Sequence, residues 1–203
     1  MPQPSESLPF LFSAKLMHHE IDILECGAGL FQSSYKIAKA IGRQKYHLAL
    51  KLSLGNSYKP EIAVGTVLNI INEKPGDFGT LINGEWKDLY DLDLLKRESE
   101  PQIRGGFINL TNAYMNVFLP FKKVVGVTVN HFADADSIKQ RLEKYKADCE
   151  TTDGIGFVYT CLFEKQVFYH LCTVASNLAS GEGNKELALQ KLNETLIDLT
   201  AKL

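Results

Sequence analysis

The sequence predicts a single α/β domain, residues 1–203, built on a mixed, mostly parallel sheet flanked by helices. Three observations carry this. Short apolar segments rich in branched residues alternate with stretches of helical periodicity. Several of the short segments are apolar at consecutive positions, as strands buried on both faces are. The length, 203 residues, suits one domain able to bury a sizeable core.

The strands are expected at Glu20 to Cys26, His47 to Ser53, Gly65 to Ile71, Val124 to Phe132 and Val167 to Ser176. The helices are expected at Leu30 to Ile41, Ser137 to Lys146, Gly154 to Lys165 and Asn184 to Leu203. Asn184 is a good cap for the last of these, which repeats apolar residues at Leu187, Leu189, Leu192, Leu196 and Leu199. The charged run from Lys139 to Asp148 reads as the solvated face of an amphipathic helix. Between Pro75 and Pro120 the rhythm breaks; this stretch, with the only tryptophan, Trp86, reads as a long surface excursion that shapes a pocket or a subunit contact. In a sheet of this kind ligands collect at the carboxyl ends of the strands, so chemistry is sought just after each one.

Composition excludes several classes. With 45% hydrophobic and 23% charged residues and a net charge of -2, the chain has neither the basic excess of a nucleic-acid binder nor a disordered composition. The apolar runs are only a few residues long, and Leu8 to Phe12 lacks the charged front of a secretory signal, so neither a membrane partner nor export is expected and the default location is the cytoplasm. The cysteines, Cys26, Cys149, Cys161 and Cys172, form no Cys-x-x-Cys pair and sit among apolar neighbours, as reduced, buried thiols do. His18, His19, His131 and His170 have no carboxylate or cysteine at ligand spacing, and no metal is expected.

The local motifs each allow two readings. Cys26-Gly27-Ala28-Gly29 opens a helix and offers backbone amides to an anion or a sugar, but Gln32 stands where a dinucleotide fingerprint needs its third glycine, which favours a plain tight turn. Leu52-Ser53-Leu54-Gly55-Asn56-Ser57 ends the second strand in small residues, either a turn or a site of close backbone approach. Asp153-Gly154-Ile155-Gly156 opens a helix, where the carboxylate caps free amides or faces a ligand. Asn177, closing Val174-Ala175-Ser176-Asn177 at the carboxyl edge, has an amide able to hydrogen-bond a heterocycle or to cap the next turn.

Together, from His19 onward, the order and spacing of these pieces resemble futalosine hydrolase, a nucleosidase of menaquinone biosynthesis in the superfamily of methylthioadenosine nucleosidases and purine nucleoside phosphorylases. The resemblance rests on Glu25-Cys26-Gly27-Ala28-Gly29, Leu50 to Ser57, Val64-Gly65-Thr66-Val67 and Gly76-Asp77-Phe78-Gly79. It continues through Gly126 to Asn130, Cys149-Glu150-Thr151-Thr152-Asp153-Gly154, Ser176-Asn177 and Leu192 to Leu196. It implies one α/β domain in a homodimer or larger homo-oligomer, no cofactor, and cleavage of a purine–ribose bond through a cation-like sugar. By position it implies Asn177 facing the purine and Asp153 on the ribose hydroxyls. Asn130, His131 and Phe132 would contact the base, Gly27 and Gly29 the ribose side, with Gly55 and Thr152 in the bordering segments.

The departures matter as much. The family's first strand, ending in a water-activating glutamate, has no counterpart after Met1-Pro2-Gln3-Pro4-Ser5-Glu6, and Glu6 or Glu20 would have to substitute. Thr152 replaces a methionine, Thr173 stands where many relatives have arginine, and no arginine or tryptophan falls between Leu178 and Asn184. Two readings follow: an active nucleosidase, or a degenerate homologue that binds a nucleoside or acts as a scaffold. Phosphorolysis is disfavoured because only Arg43, Arg97, Arg104 and Arg141 are available to clamp phosphate. The nucleosidase reading expects Asp153 and Asn177 to converge on one cleft with the turn at Gly27.

Overall fold

The computed structural model of the chain describes residues 19–131 and 134–203. Phe132 and Glu6, both considered above for the site, lie outside the described residues, as do His18 and Leu8 to Phe12. In chain order the elements are α1 (Gly29–Ile41), β1 (Ala49–Ser57), β2 (Val67–Pro75), β3 (Gly79–Ile82), β4 (Glu85–Asp88), β5 (Phe107–Ile108), α2 (Met115–Phe118), β6 (Lys122–Thr128), α3 (Ala135–Tyr145), β7 (Cys149–Thr151), α4 (Gly154–Phe163), β8 (Phe168–Asn177), β9 (Glu182–Gly183) and α5 (Lys185–Thr200).

The sheet is mixed and partly closed. β1 lies parallel to β8 over its whole length, and the other edge of β8 takes β2 antiparallel through Val67↔Thr173 to Asn69↔Leu171. β2 runs parallel to β6, β6 parallel to β7, and β7 returns antiparallel to β1 at Asn56↔Glu150. The path β1-β8-β2-β6-β7 therefore closes on itself, with β5 attached to β2 and β9 to β8. Closure satisfies backbone groups that would otherwise form exposed edges. It needs a close approach where β1 meets β7: a Cβ on Gly55 would strike the Glu150 carbonyl and come within 2.6 Å of the Cys172 sulfur.

Leu68, Ile70, Val124, Cys149, Cys172 and Val174, from β2, β6, β7 and β8, converge in one buried cluster with Ile62. α1 and α4 cover one side through Ile37, Ile41, Phe157, Val158 and Cys161, packed with Phe168. Gly156 permits that helix contact, since a Cβ there would meet Leu30 at 3.1 Å. Leu199 of α5 and Phe118 of α2 close another side against Tyr169 and Leu171. The cap at Asn184 forms as expected, its side chain accepting from the Leu187 amide, a contact that stabilises a helix by about 1 kcal/mol.

Several expected elements are corrected. Glu20 to Cys26 forms no strand; every strand of the ring already has neighbours on both sides, so no free edge is left for it there. The segment is held instead by single contacts, the Tyr46 hydroxyl on Asp22 and the Lys36 ammonium on the Glu25 carbonyl. Of the two readings of Leu52 to Ser57, the turn does not form and the close backbone approach does: the segment is strand throughout, with a register shift between Gly55 and Asn56. The fourth strand ends at Thr128 rather than Phe132. The excursion after Pro75 holds the β3–β4 hairpin, β5 and α2, and Trp86 donates to the Tyr145 hydroxyl of α3.

All four cysteines are free; Cys149, Cys161 and Cys172 are buried and Cys26 is half-buried. A hydrogen bond with Cys172, together with burial, pushes the Cys149 thiol well up, and burial raises those of Cys161 and Cys26. A thiol-specific disulfide reagent is therefore expected to modify Cys26 slowly in the native protein and the other three only after denaturation, as followed by thiol release against time.

Candidate functional site

A cleft of about 500 Å³ opens where the ends of β1, β6, β7 and β8 meet. β1 supplies Gly55 and Asn56, the segment after β6 supplies Asn130 and His131, β7 and its exit supply Glu150 and Thr152, and the turn into α5 supplies Asn184 and Lys185.

The cleft contains one carboxylate of the sheet, and that carboxylate is buried. Glu150 accepts from the Asn56 amide at 3.0 Å and from the Arg141 guanidinium at 2.9 Å, and the Tyr58 hydroxyl also donates to it. Burial, reinforced by the adjacent Glu150 charge, pushes the Tyr58 hydroxyl far up, so it remains a donor. Arg141 is itself buried on α3, within the charged run expected to be solvated. Each charge would be costly alone, and the pairing with additional donors offsets the desolvation. The burial of Arg141 corrects the reading of that run as wholly solvated.

A second polar group stands on the rim. His131 is 54% exposed, and its Nδ1 lies 3.1 Å from Asp77 Oδ2. Asp77 also accepts from the Asn130 side chain at 3.1 Å, the His131 amide at 3.2 Å and the Asn130 amide. An ionised carboxylate only accepts, which favours the tautomer with the imidazole proton on Nδ1 and leaves Nε2 as the acceptor. Ser137 Oγ at 3.3 Å and an Arg141 nitrogen at 3.4 Å face that lone pair.

Of the residues expected from sequence, Gly55, Asn130, His131 and Thr152 line this cleft, whereas Asp153, Asn177, Gly27 and Gly29 do not. Asn177 is 1% exposed. Its amide nitrogen donates to the carbonyls of Lys59 and Ile62, both at 2.9 Å, and its oxygen accepts from the amides of Ala179 at 2.9 Å and Ser180 at 3.0 Å. It ties the end of β8 to the loop after β1 and caps the following turn. Asp153 sits at the start of α4 and forms a 2.7 Å ion pair with Lys51 of β1. The thiol of Cys26 lies within the fields of both Lys51 and Asp153, so the turn at Gly27 belongs to that neighbourhood. Gly27 and Gly29 have φ of 82° and 76°, the left-handed backbone that favours glycine.

The sequence assigns no site role to Glu150 or Asp77, and it offers Arg141 only as a phosphate clamp or part of a solvated face. Glu150 and Asp77 fall within Cys149 to Gly154 and Gly76 to Gly79, and a carboxylate in a short apolar strand such as Cys149-Glu150-Thr151 signals a buried partner. Nothing local in α3 marks Arg141 as that partner. Among the described residues no group of three or more His, Cys, Asp or Glu is placed to hold a metal ion, and no helix is long and apolar enough to cross a membrane.

No protein-family model and no curated protein matches the sequence. Solved structures do share its fold. A mutant futalosine hydrolase of Helicobacter pylori superposes with a TM-score of 0.69 at 13% identity, over 88% of this chain and 78% of that one. The Campylobacter jejuni 5′-methylthioadenosine/S-adenosylhomocysteine nucleosidase gives a TM-score of 0.71 at 14% identity, over 88% and 79%. An S-adenosylhomocysteine nucleosidase of Streptococcus pyogenes, solved with 5-methylthiotubericidin, gives 0.68 at 11% identity, over 88% and 77%. The chain thus has the fold of these nucleosidases.

The hydrogen bonds of Asn177 yield a direct check. Asn177→Asp would set a carboxylate oxygen against two buried carbonyls in place of the amide donor. Urea denaturation is expected to show a loss of about 2 kcal/mol or more, whereas an asparagine facing an open pocket would tolerate the change.

Proposed function

We propose, starting from the nucleosidase fold, that this chain hydrolyses the N-glycosidic bond of a purine nucleoside in the cleft at Glu150, as a futalosine hydrolase-like enzyme of menaquinone biosynthesis. The observation that carries the reading is a nucleoside-sized cavity with a buried carboxylate in its wall. A carboxylate has about four lone-pair positions. Glu150 receives Asn56, Tyr58 and Arg141, which leaves capacity for a ribose hydroxyl. This assigns to Glu150 the sugar-holding role that the resemblance gave to Asp153. Asn130 and Thr152 then border the base, and no cofactor takes part.

Water is the nucleophile in this scheme. Lys185 is the only lysine or arginine among the described lining residues, and the guanidinium of Arg141 is committed to Glu150, so a phosphate would lack a clamp. A second reading, a degenerate homologue that binds a nucleoside or acts as a scaffold, is favoured by one observation: Asp153 and Asn177 are both spent on internal contacts. In either case the proposed location is the cytoplasm and the proposed partner a second copy of this chain. Phe31, 91% exposed, and Tyr35 on α1, with Tyr159 and Phe163 on α4, leave aromatic surface open on the adjoining helices.

Two experiments test these proposals. Purified protein incubated with futalosine, methylthioadenosine or inosine is expected to release free base, measured by chromatography. Glu150→Gln is expected to lower the rate roughly 10²-fold or more, the scale on which a lost transition-state hydrogen bond acts. Tight binding of a nucleoside with no base release from any of the three would favour the degenerate homologue. Light scattering is expected to give the mass of a dimer or larger species, and Phe31→Glu with Phe163→Glu to shift it to monomer.

A further inference from the structure

Glu20, considered above for water activation, lies in an irregular exposed segment and follows no strand. We propose that His131, oriented by Asp77, is the general base that activates the hydrolytic water in this cleft. The inference rests on the nucleosidase reading of the same site and adds to it a group for water activation.

His131 is the one imidazole among the described lining residues. Asp77 is almost wholly buried at the end of the β2 segment and gathers the Asn130 and His131 amides, so the loop carrying the imidazole is fixed from behind. That contact holds Nδ1 as the donor and leaves Nε2 as the acceptor, which is the tautomer a base requires. The two groups facing Nε2, Ser137 Oγ and Arg141, are donors at long range, 3.3 and 3.4 Å. A water bound in the cleft can displace the serine hydroxyl, because the side chain is half exposed and that contact is long.

The charged groups around the imidazole are Asp77 at Nδ1, Arg141 of α3 at Nε2, Asp134 at the cap of α3, and Glu150 paired with Arg141, while Lys185 lines the same cleft. The Ser137 amide, bonded to Asp134, holds that carboxyl below its ordinary range, so it stays ionised near the ring.

In the step itself, a water proton moves to His131 Nε2 as the water oxygen bonds to C1′ of the ribose. The C1′–N bond breaks, and its electron pair leaves on the ring nitrogen of the base, which takes a proton from solvent. The imidazolium then returns its proton to solvent, and the products are free base and free sugar. His131 acts on the reacting water; Asp77 is a positioning residue that holds the tautomer.

The test uses the full chain and whichever of the three nucleosides turns over. His131→Gln is expected to lower kcat by 10²- to 10⁴-fold, the usual contribution of a general base, with KM and calorimetric nucleoside binding little changed. The acid limb of the wild-type pH–rate profile, where the imidazole takes up its proton, is expected to vanish in that variant. Added imidazole is expected to restore part of the rate to His131→Gly, and Asp77→Asn to reduce kcat while binding persists. His131→Gln turning over at the wild-type rate, or keeping the acid limb, would overturn the assignment while leaving the nucleosidase reading in place. A wild-type chain that binds nucleoside but releases no base would remove both.

Discussion

The carboxylate of Glu150 is where this molecule holds itself together. It joins β7, which carries it, to β1 through Asn56, to the loop after β1 through Tyr58, and to α3 through Arg141. Two buried charges with so many donors are stabilising only as a set; removing one partner leaves the other uncompensated in a low-dielectric interior. Asn56 and Glu150 of this set line the cleft, so the structure there cannot relax without disturbing the site. Closure of the ring at β7 and β1 depends on the same region, because Gly55 lets the backbone of β7 approach where Asn56 reaches Glu150.

A second polar chain runs through the interior and explains more of the sequence. Glu73 of β2 accepts from the Thr128 hydroxyl at 2.7 Å, which in turn accepts from the Ile155 amide at the start of α4. His170 of β8 lies with Nδ1 3.4 Å from Glu73, and its Nε2 meets Ser53 at 3.0 Å. These groups fix where α4 begins against the sheet, helped by Gly154, where a Cβ would press on the Glu73 carboxyl at 2.8 Å. With the Lys51–Asp153 pair beside it, the amino end of α4 is pinned by polar contacts that specify direction in a way apolar packing does not.

How much of this was legible follows from range. β2, β6, β8 and the helices α1, α3, α4 and α5 rest on local periodicity, and the sequence places each within a few residues of its observed bounds. β7 is only Cys149–Thr151 and β9 only Glu182–Gly183, too short to leave a periodic signal, yet β7 completes the ring. Glu20 to Cys26 has the composition of a strand and fails to become one because strand formation needs a partner edge. Residues joined at long separation, such as Glu73 with Thr128 and His170 or Asp77 with His131, carry no mark in sequence of which partner they take.

The site shows the same division between position and partnership. Asn177 and Asp153 occupy the positions that the resemblance assigns to base and ribose, but a side chain acts on a ligand only with hydrogen-bonding capacity left over from the fold. Asn177 has every donor and acceptor engaged by backbone, and Asp153 faces a lysine across 2.7 Å. At the cleft the carboxylate of Glu150 keeps lone-pair capacity beyond its three donors, and the Nε2 of His131 meets only the long contacts of Ser137 and Arg141. Chemistry in this cleft therefore has to be sought by counting satisfied valences, because alignment to a motif identifies the position of a residue and leaves open what that residue is already bonded to.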